Sequence, residues 1–251
     1  MTPSTDPGAS LQTEEPGSRA RSEARWPAQR RTAGALLMAG PAVFLLAEFT
    51  AAAAWTDPPY SYTYHFISNL GVRGPSELFG QYMYSPLAGV MNAGFFLFGI
   101  TILAGVAMLR GLPVRRRRGV LAAAALLAAG GVLLALFPGS GEALEDGTGA
   151  FHSSGAAAGF LGANALAILL GSLRRWVGLS PKLGRALLAV GVIGLLSMAA
   201  YFAEIISGAS VLIGLVERGA VHPFLISLIC AGTAIWKQAA VGKHPPPPGR
   251  P

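Results

Sequence analysis

The chain has 251 residues, of which 52% are hydrophobic and only 12% charged, with a formal net charge of +7 and a pI near 10.1. Soluble domains carry about 25% charged residues, so half that share, set between long apolar runs, excludes an ordinary soluble domain. The basic excess does not point to nucleic acid, because the arginines flank the apolar runs, where they set membrane topology.

In chain order, residues 1–30 are rich in Ser, Pro, Glu and Arg and lack apolar periodicity, which reads as a disordered cytoplasmic tail. Residues 31–240 hold six apolar runs, at about 33–54, 85–109, 119–137, 151–173, 184–206 and 219–238. Each has about the 20 residues that a membrane-spanning helix needs, and all are too long for barrel strands. Lipid offers backbone groups no hydrogen-bond partner, so the spans are helical. The expected fold is all-α, an integral membrane bundle of six transmembrane helices. Arg30-Arg31 before the first run and "AAAA" (51–54) after it have the outline of a twin-arginine signal and cleavage site. A run this long, followed by five more, anchors rather than exports. Residues 241–251, "VGKHPPPPGRP", form a second, Pro-rich tail. Cys230 is the single cysteine, so no intramolecular disulfide exists.

Charge placement predicts orientation. Of 19 basic residues, 17 fall on one side of the bundle, in both tails and the even loops, and only Arg73 and Arg218 on the other. By the positive-inside rule both termini are cytoplasmic, in a multi-pass protein of the plasma membrane. Loops 55–84, 138–150 and 207–218 are then outside. They carry six acids, Asp57, Glu77, Glu142, Glu145, Asp146 and Glu217. Topology explains the "RRRR" of Arg115, Arg116, Arg117 and Arg118, and anionic lipid headgroups are a second use for it.

Polar residues from distant segments share one depth. Glu48 lies fifteen residues into its span, about 23 Å along a helix. Glu204 lies near the outer end of the fifth span. His152 and His222 open the fourth and sixth, and Arg218 shares a face with His222. With Glu217 and the loop residues His65, Ser68 and Asn69 they form a candidate outer-face polar cluster. A carboxylate inside a span is expensive, so Glu48 and Glu204 are expected to face the interior, with Arg218 the partner of either. Such a cluster is either an ion pair that fixes packing or a functional pocket.

His152, Gly155, Gly159 and Gly162 share one helical face, and the G-x-x-x-G within it predicts close helix packing. Asn92 and Asn164 are expected to be interhelical hydrogen-bond glue. His65, His152 and His222 with Glu48 or Glu204 have zinc-ligand chemistry. They lack the close spacing of a helical metal motif, so no metal or cofactor is expected. Ser68 near His65 is no triad, and no residue is assigned as catalytic. The tyrosines of "YSYTYHF" (60–66) place the first outer loop at the membrane interface as a cap, and "SELFGQYMYS" (76–85) reads as a short interfacial helix.

Three ordered segments resemble a known family. "YHFISNLGVRGP" (64–75), "ALFPGSGEALEDGTGAFHSSGAAAGF" (135–160) and "GLVERGAVHPFLISLICAGTAIW" (214–236) are similar to motifs of the bacterial and archaeal membrane proteins catalogued as domain of unknown function 998. Asn69 stands where that loop often has aspartate, and His222 where tyrosine is common. The resemblance covers roughly residues 33–238 and implies a six-helix membrane protein without an assigned activity. A looser likeness joins the chain to alkaline-ceramidase-type membrane hydrolases, whose late His-x-x-x-His pair it lacks. The leading expectation is a non-enzymatic bundle that binds a lipid or a partner protein at its outer face. The alternatives are an outer-leaflet lipid hydrolase using metal or His/Glu chemistry, and a small-solute transporter, with haem-based electron transfer behind both.

Overall fold

The computed structural model describes residues 16–208 and 212–240, with side chains from residue 27 onward. Six helices are long and apolar enough to cross a membrane: α1 (Pro16–Ala54, spanning from Pro27), α2 (Ala88–Ala107), α3 (Val114–Leu136), α5 (Gly149–Ser172), α7 (Pro181–Ser207) and α8 (Ile213–Ala240). Two short helices, α4 (Gly141–Glu145) and α6 (Arg174–Val177), lie in connections. Each long helix packs on its sequence neighbour, and α8 returns to pack on α1, so the six close into a ring.

Local chemistry sets the ends. Ser180 caps α7 by accepting from the Leu183 amide, with Pro181 at the first helical position, and Gly208 closes it in the left-handed region at φ 70°. Between helices, backbone glycines admit close approach. A Cβ at Gly130 of α3 would meet the backbone of Gly155 and Gly159 of α5, and one at Gly162 would meet Leu127. Gly34 of α1 and Gly232 of α8 face each other in the same way. The centre is filled by aromatics: Phe44 packs edge-on against Phe95 and Phe98, and Phe98 against Phe224.

Three expectations need correction. First, α1 starts at Pro16, so the second half of the segment read as a disordered tail is helical. Arg30, counted with that tail, is buried and donates to the Val177 carbonyl at 2.8 Å, tying α1 to the end of α6. Residues 1–15 and the Pro-rich tail 241–251 lie outside the described residues. Second, "SELFGQYMYS" is not a helix. It forms an antiparallel hairpin, β1 (Ser76–Leu78) with β2 (Gln81–Met83), in register Ser76↔Met83. Phe79 and Gly80 both take positive φ, 53° and 70°, the signature of a two-residue type I′ turn. Third, Asn92 is not helix–helix glue. Its Nδ2 donates to the Gly71 carbonyl at 3.0 Å and holds the loop onto α2. Asn164 does bridge helices, donating to the Phe160 carbonyl and, at 3.4 Å, to that of Ala220 in α8.

Candidate functional site

Segment 55–87 folds over one end of the ring, here called the loop end. Its first turn stacks buried Trp55 on His65, with ring centroids 5.2 Å apart and planes 15° from parallel. A 3-10 turn, Ser68–Gly71, follows and inserts Asn69 and Leu70 into the bundle. Gly214 lets α8 approach this loop, because a Cβ there would press on the carbonyls of Tyr62 and His65.

At the centre of the loop end sits one cation. Arg218 Nε donates to Glu48 Oε1 at 3.1 Å, and Nη2 lies 3.0 Å from the same oxygen in an ion pair. Its Nη1 donates to the carbonyls of Tyr62 (2.8 Å), His65 (3.2 Å) and Gly214 (2.9 Å). Nη2 also meets the Tyr60 hydroxyl, which donates onward to the Phe66 carbonyl at 2.9 Å. The guanidinium lies over the rings of Tyr62 and Tyr60, 4.9 and 5.6 Å from their centroids. Glu48 is fully buried, and its second oxygen accepts from His222 Nε2 at 2.8 Å. One arginine thus neutralises a carboxylate inside the span and pins the loop to α8 through three loop groups, the Tyr62 and His65 carbonyls and the Tyr60 hydroxyl.

Glu217, the neighbour of Arg218, turns another way and accepts the Ile67 amide. Glu204 does not share Arg218: among the described residues no hydrogen bond or ion pair joins them, and Glu204 Oε2 has no partner. The expectation that either glutamate serves is therefore settled on Glu48. His152 also stands apart from the ion pair. Its Nδ1 donates to the Phe137 carbonyl at 2.8 Å, and Gly139 lies against its Nε2 edge. Asn69 donates to Gln81 Oε1 at 2.6 Å, which ties the 3-10 turn to the hairpin. Among the described residues no three His, Cys, Asp or Glu side chains are grouped to hold a metal ion, and no hydrogen bond joins Ser68 to a histidine.

Two cavities meet beneath the loop. An inner, almost wholly apolar chamber of about 60 Å³ lies among α1, α2, α3, α5 and α8 and includes Phe44, Phe98, Phe160 and Glu217 in its lining. A mouth of about 300 Å³ lies between α5 and α7 under the hairpin, lined in part by Asn69, Phe79, Ser140, Leu144, His152 and Ser153. Ser68 and Ala156 line both, and this shared boundary is here called the throat. Of the nine cluster residues, Glu48, Arg218 and His222 are joined directly, and His65 contributes its carbonyl. Ser68, Asn69, His152 and Glu217 line the cavities, and Glu204 joins neither group. Sequence reasoning missed Tyr60 and Tyr62 as partners of Arg218. Their only signal was the aromatic clustering, which the membrane interface already explained.

His65 carries a pH consequence. Burial, and then the Arg218 charge, hold its pKa below the usual 6.5, and Nδ1 accepts the Ser61 amide at 2.9 Å, so the folded ring is neutral. The unfolded chain then binds the proton more readily, so this contribution to stability is full above about pH 6.5 and is lost as pH falls below it. Thermal unfolding followed across that window should show the midpoint dropping on acidification, with the step attenuated in His65→Phe. An unchanged step in the variant would assign it to another group.

A closed ring of six apolar helices, capped at one end by a loop pinned through a buried ion pair, defines a multi-pass helical membrane protein. The chain belongs to the family described as "Protein of unknown function (DUF998)", which matches residues 38–234. No curated protein and no solved structure matches it.

Proposed function

We propose that this is a non-enzymatic protein of the plasma membrane that takes an amphiphilic lipid from the outer leaflet into the cavity at its loop end. The observation that carries the reading is the adjacency of two cavities: the larger lies between α5 and α7 with polar groups in its lining, and the apolar inner one shares Ser68 and Ala156 with it. The mouth alone, about 300 Å³, reaches the lower end of the range for small-molecule sites, about 300–1,000 Å³. Exposed Phe79 and Leu144 among its lining suit an approach from lipid rather than from water. The ion pair of Glu48 and Arg218 serves this site structurally, by fixing the loop that roofs it.

The test is lipid analysis of detergent-purified protein beside Ala156→Phe, which fills the throat. Wild type should retain a stoichiometric lipid in native mass spectra. The variant should lose it at least tenfold while keeping its unfolding temperature. Equal retention would overturn the reading.

Orientation follows from charge: both termini cytoplasmic, the loop end outside, and Arg115 to Arg118 at the inner leaflet, with anionic headgroups as their partners. Arg116 and Arg117 also serve the protein, over the Trp176 ring and on the Ala107 carbonyl. In a Cys230→Ala background, an impermeant thiol reagent applied to intact cells should label Glu145→Cys and spare Arg116→Cys. Labelling in the opposite sense would invert the topology.

A further inference from the structure

We infer that the amphiphile this cavity accepts has an uncharged, hydroxyl-bearing polar end, as in a monoacylglycerol or a long-chain alcohol, and not a phosphate-bearing one. The inference rests on the lipid-binding reading above and goes beyond it by naming the chemical class of the ligand.

The argument is one of charge and of donors against acceptors. Among the described residues no lysine or arginine lines the mouth, the throat or the chamber. Arg218, beside Glu217 in α8, is committed: Glu48, three backbone carbonyls and the Tyr60 hydroxyl take its hydrogens. Arg73, the arginine of segment 55–87, lines a separate polar pocket with Glu142 and Asp146. A phosphate drawn into the mouth would lose its hydration without gaining a counter-ion, and desolvated unpaired charge is strongly unfavourable.

The polar groups of the lining, which include the Asn69 amide and the Tyr201 hydroxyl, suit a group that both donates and accepts. The Phe137 carbonyl can only accept, so Nδ1 of His152 carries the proton and Nε2 of the neutral ring is left as an acceptor. Glu217 accepts the Ile67 amide on one oxygen. Ser68, Ser140 and Ser153 supply hydroxyls that donate or accept as required. A phosphodiester oxygen brings only acceptors to this set. A hydroxyl brings a donor and accepts in return, which satisfies both sides. The apolar remainder, Phe66, Leu78, Phe79, Leu144, Phe202 and Ile205, suits an acyl or alkyl chain.

The experiment compares two probes with the same chain, 1-monooleoylglycerol and 1-oleoyl-lysophosphatidylglycerol. Each is titrated into delipidated full-length protein in a neutral detergent and read as adducts by native mass spectrometry. The neutral probe should bind at least tenfold more tightly than the anionic one. His152→Phe, which removes the acceptor, should reduce that preference, and Ser153→Ala gives a second reading if His152→Phe unfolds. Binding of the anionic probe as tight as the neutral one, and blocked by Ala156→Phe, would overturn the head-group inference and leave the lipid-binding reading standing. Binding of neither probe, with no effect of Ala156→Phe on co-purified lipid, would overturn both.

Discussion

Replacing Glu48 by alanine is expected to destabilise the folded bundle by about 3–5 kcal/mol, the usual penalty for leaving one member of a buried ion pair alone. Glu48 is 0% exposed, and both of its oxygens are used, one by Arg218 and one by His222. Without it the guanidinium keeps its carbonyl partners but loses its counter-charge inside the span. Arg218 also holds the carbonyls of Tyr62 and His65, so the loop should loosen together with the α1–α8 contact. Unfolding titrations in mixed micelles give the magnitude, and protease sensitivity of segment 55–87 reports the loop. Glu48→Ala combined with Arg218→Met removes both charges and should recover part of the loss, since an apolar replacement of a whole buried pair is often near neutral. Glu204→Gln is the control: Glu204 has no share in the pair and should change stability by far less. A Glu204→Gln loss equal to that of Glu48→Ala would show that the pair is not the anchor of the loop end.

Gly130→Ala should destabilise the α3–α5 seam by about 1–3 kcal/mol, although alanine is the better helix former. A single Cβ at Gly130 would lie 2.5 Å from the Gly159 amide nitrogen and 2.6 Å from the Gly155 carbonyl oxygen. Those atoms are backbone and cannot swing aside, so the helices must separate, and the throat at Ala156 on the same face of the seam widens or shifts with them. Gly119→Ala is the matched control in the same helix, because a Cβ there meets nothing within 4 Å. It should be neutral or stabilise slightly. Thermal unfolding of the two variants side by side decides the matter, and similar midpoints would show that the seam adjusts more freely than backbone contact implies.

Much of the architecture was legible because lipid is a simple solvent. A span must be long, apolar and helical, so six runs of hydropathy located six helices, to within three residues at most ends. The exceptions are the starts of α3 and α8, five and six residues before their runs, so that Glu217 and Arg218 of the expected outer loop lie in α8, and α1 reaching back to Pro16, where the chain leaves the apolar run and composition no longer constrains it. G-x-x-x-G at 155–159 marked a packing face, and the structure places Gly155 and Gly159 against Gly130 of α3. The cost of a carboxylate in a span marked Glu48 as buried and paired. What the sequence by itself determined, then, was each element's depth and the kinds of group gathered at the loop end. Which of those groups touch was decided only by tertiary structure, because depth fixes position along the membrane normal and leaves the angle around the ring open. Glu48 and Glu204 both lie toward the loop end, yet α1 packs on α8 and brings only Glu48 to Arg218. His152 and His222 open spans at the same end, yet His222 faces Glu48 while His152 lines the mouth between α5 and α7. The hairpin at 76–83 was hidden for a related reason: three residues a side carry too little periodicity to separate strand from helix, and the turn at Phe79-Gly80 shows itself only in its dihedrals.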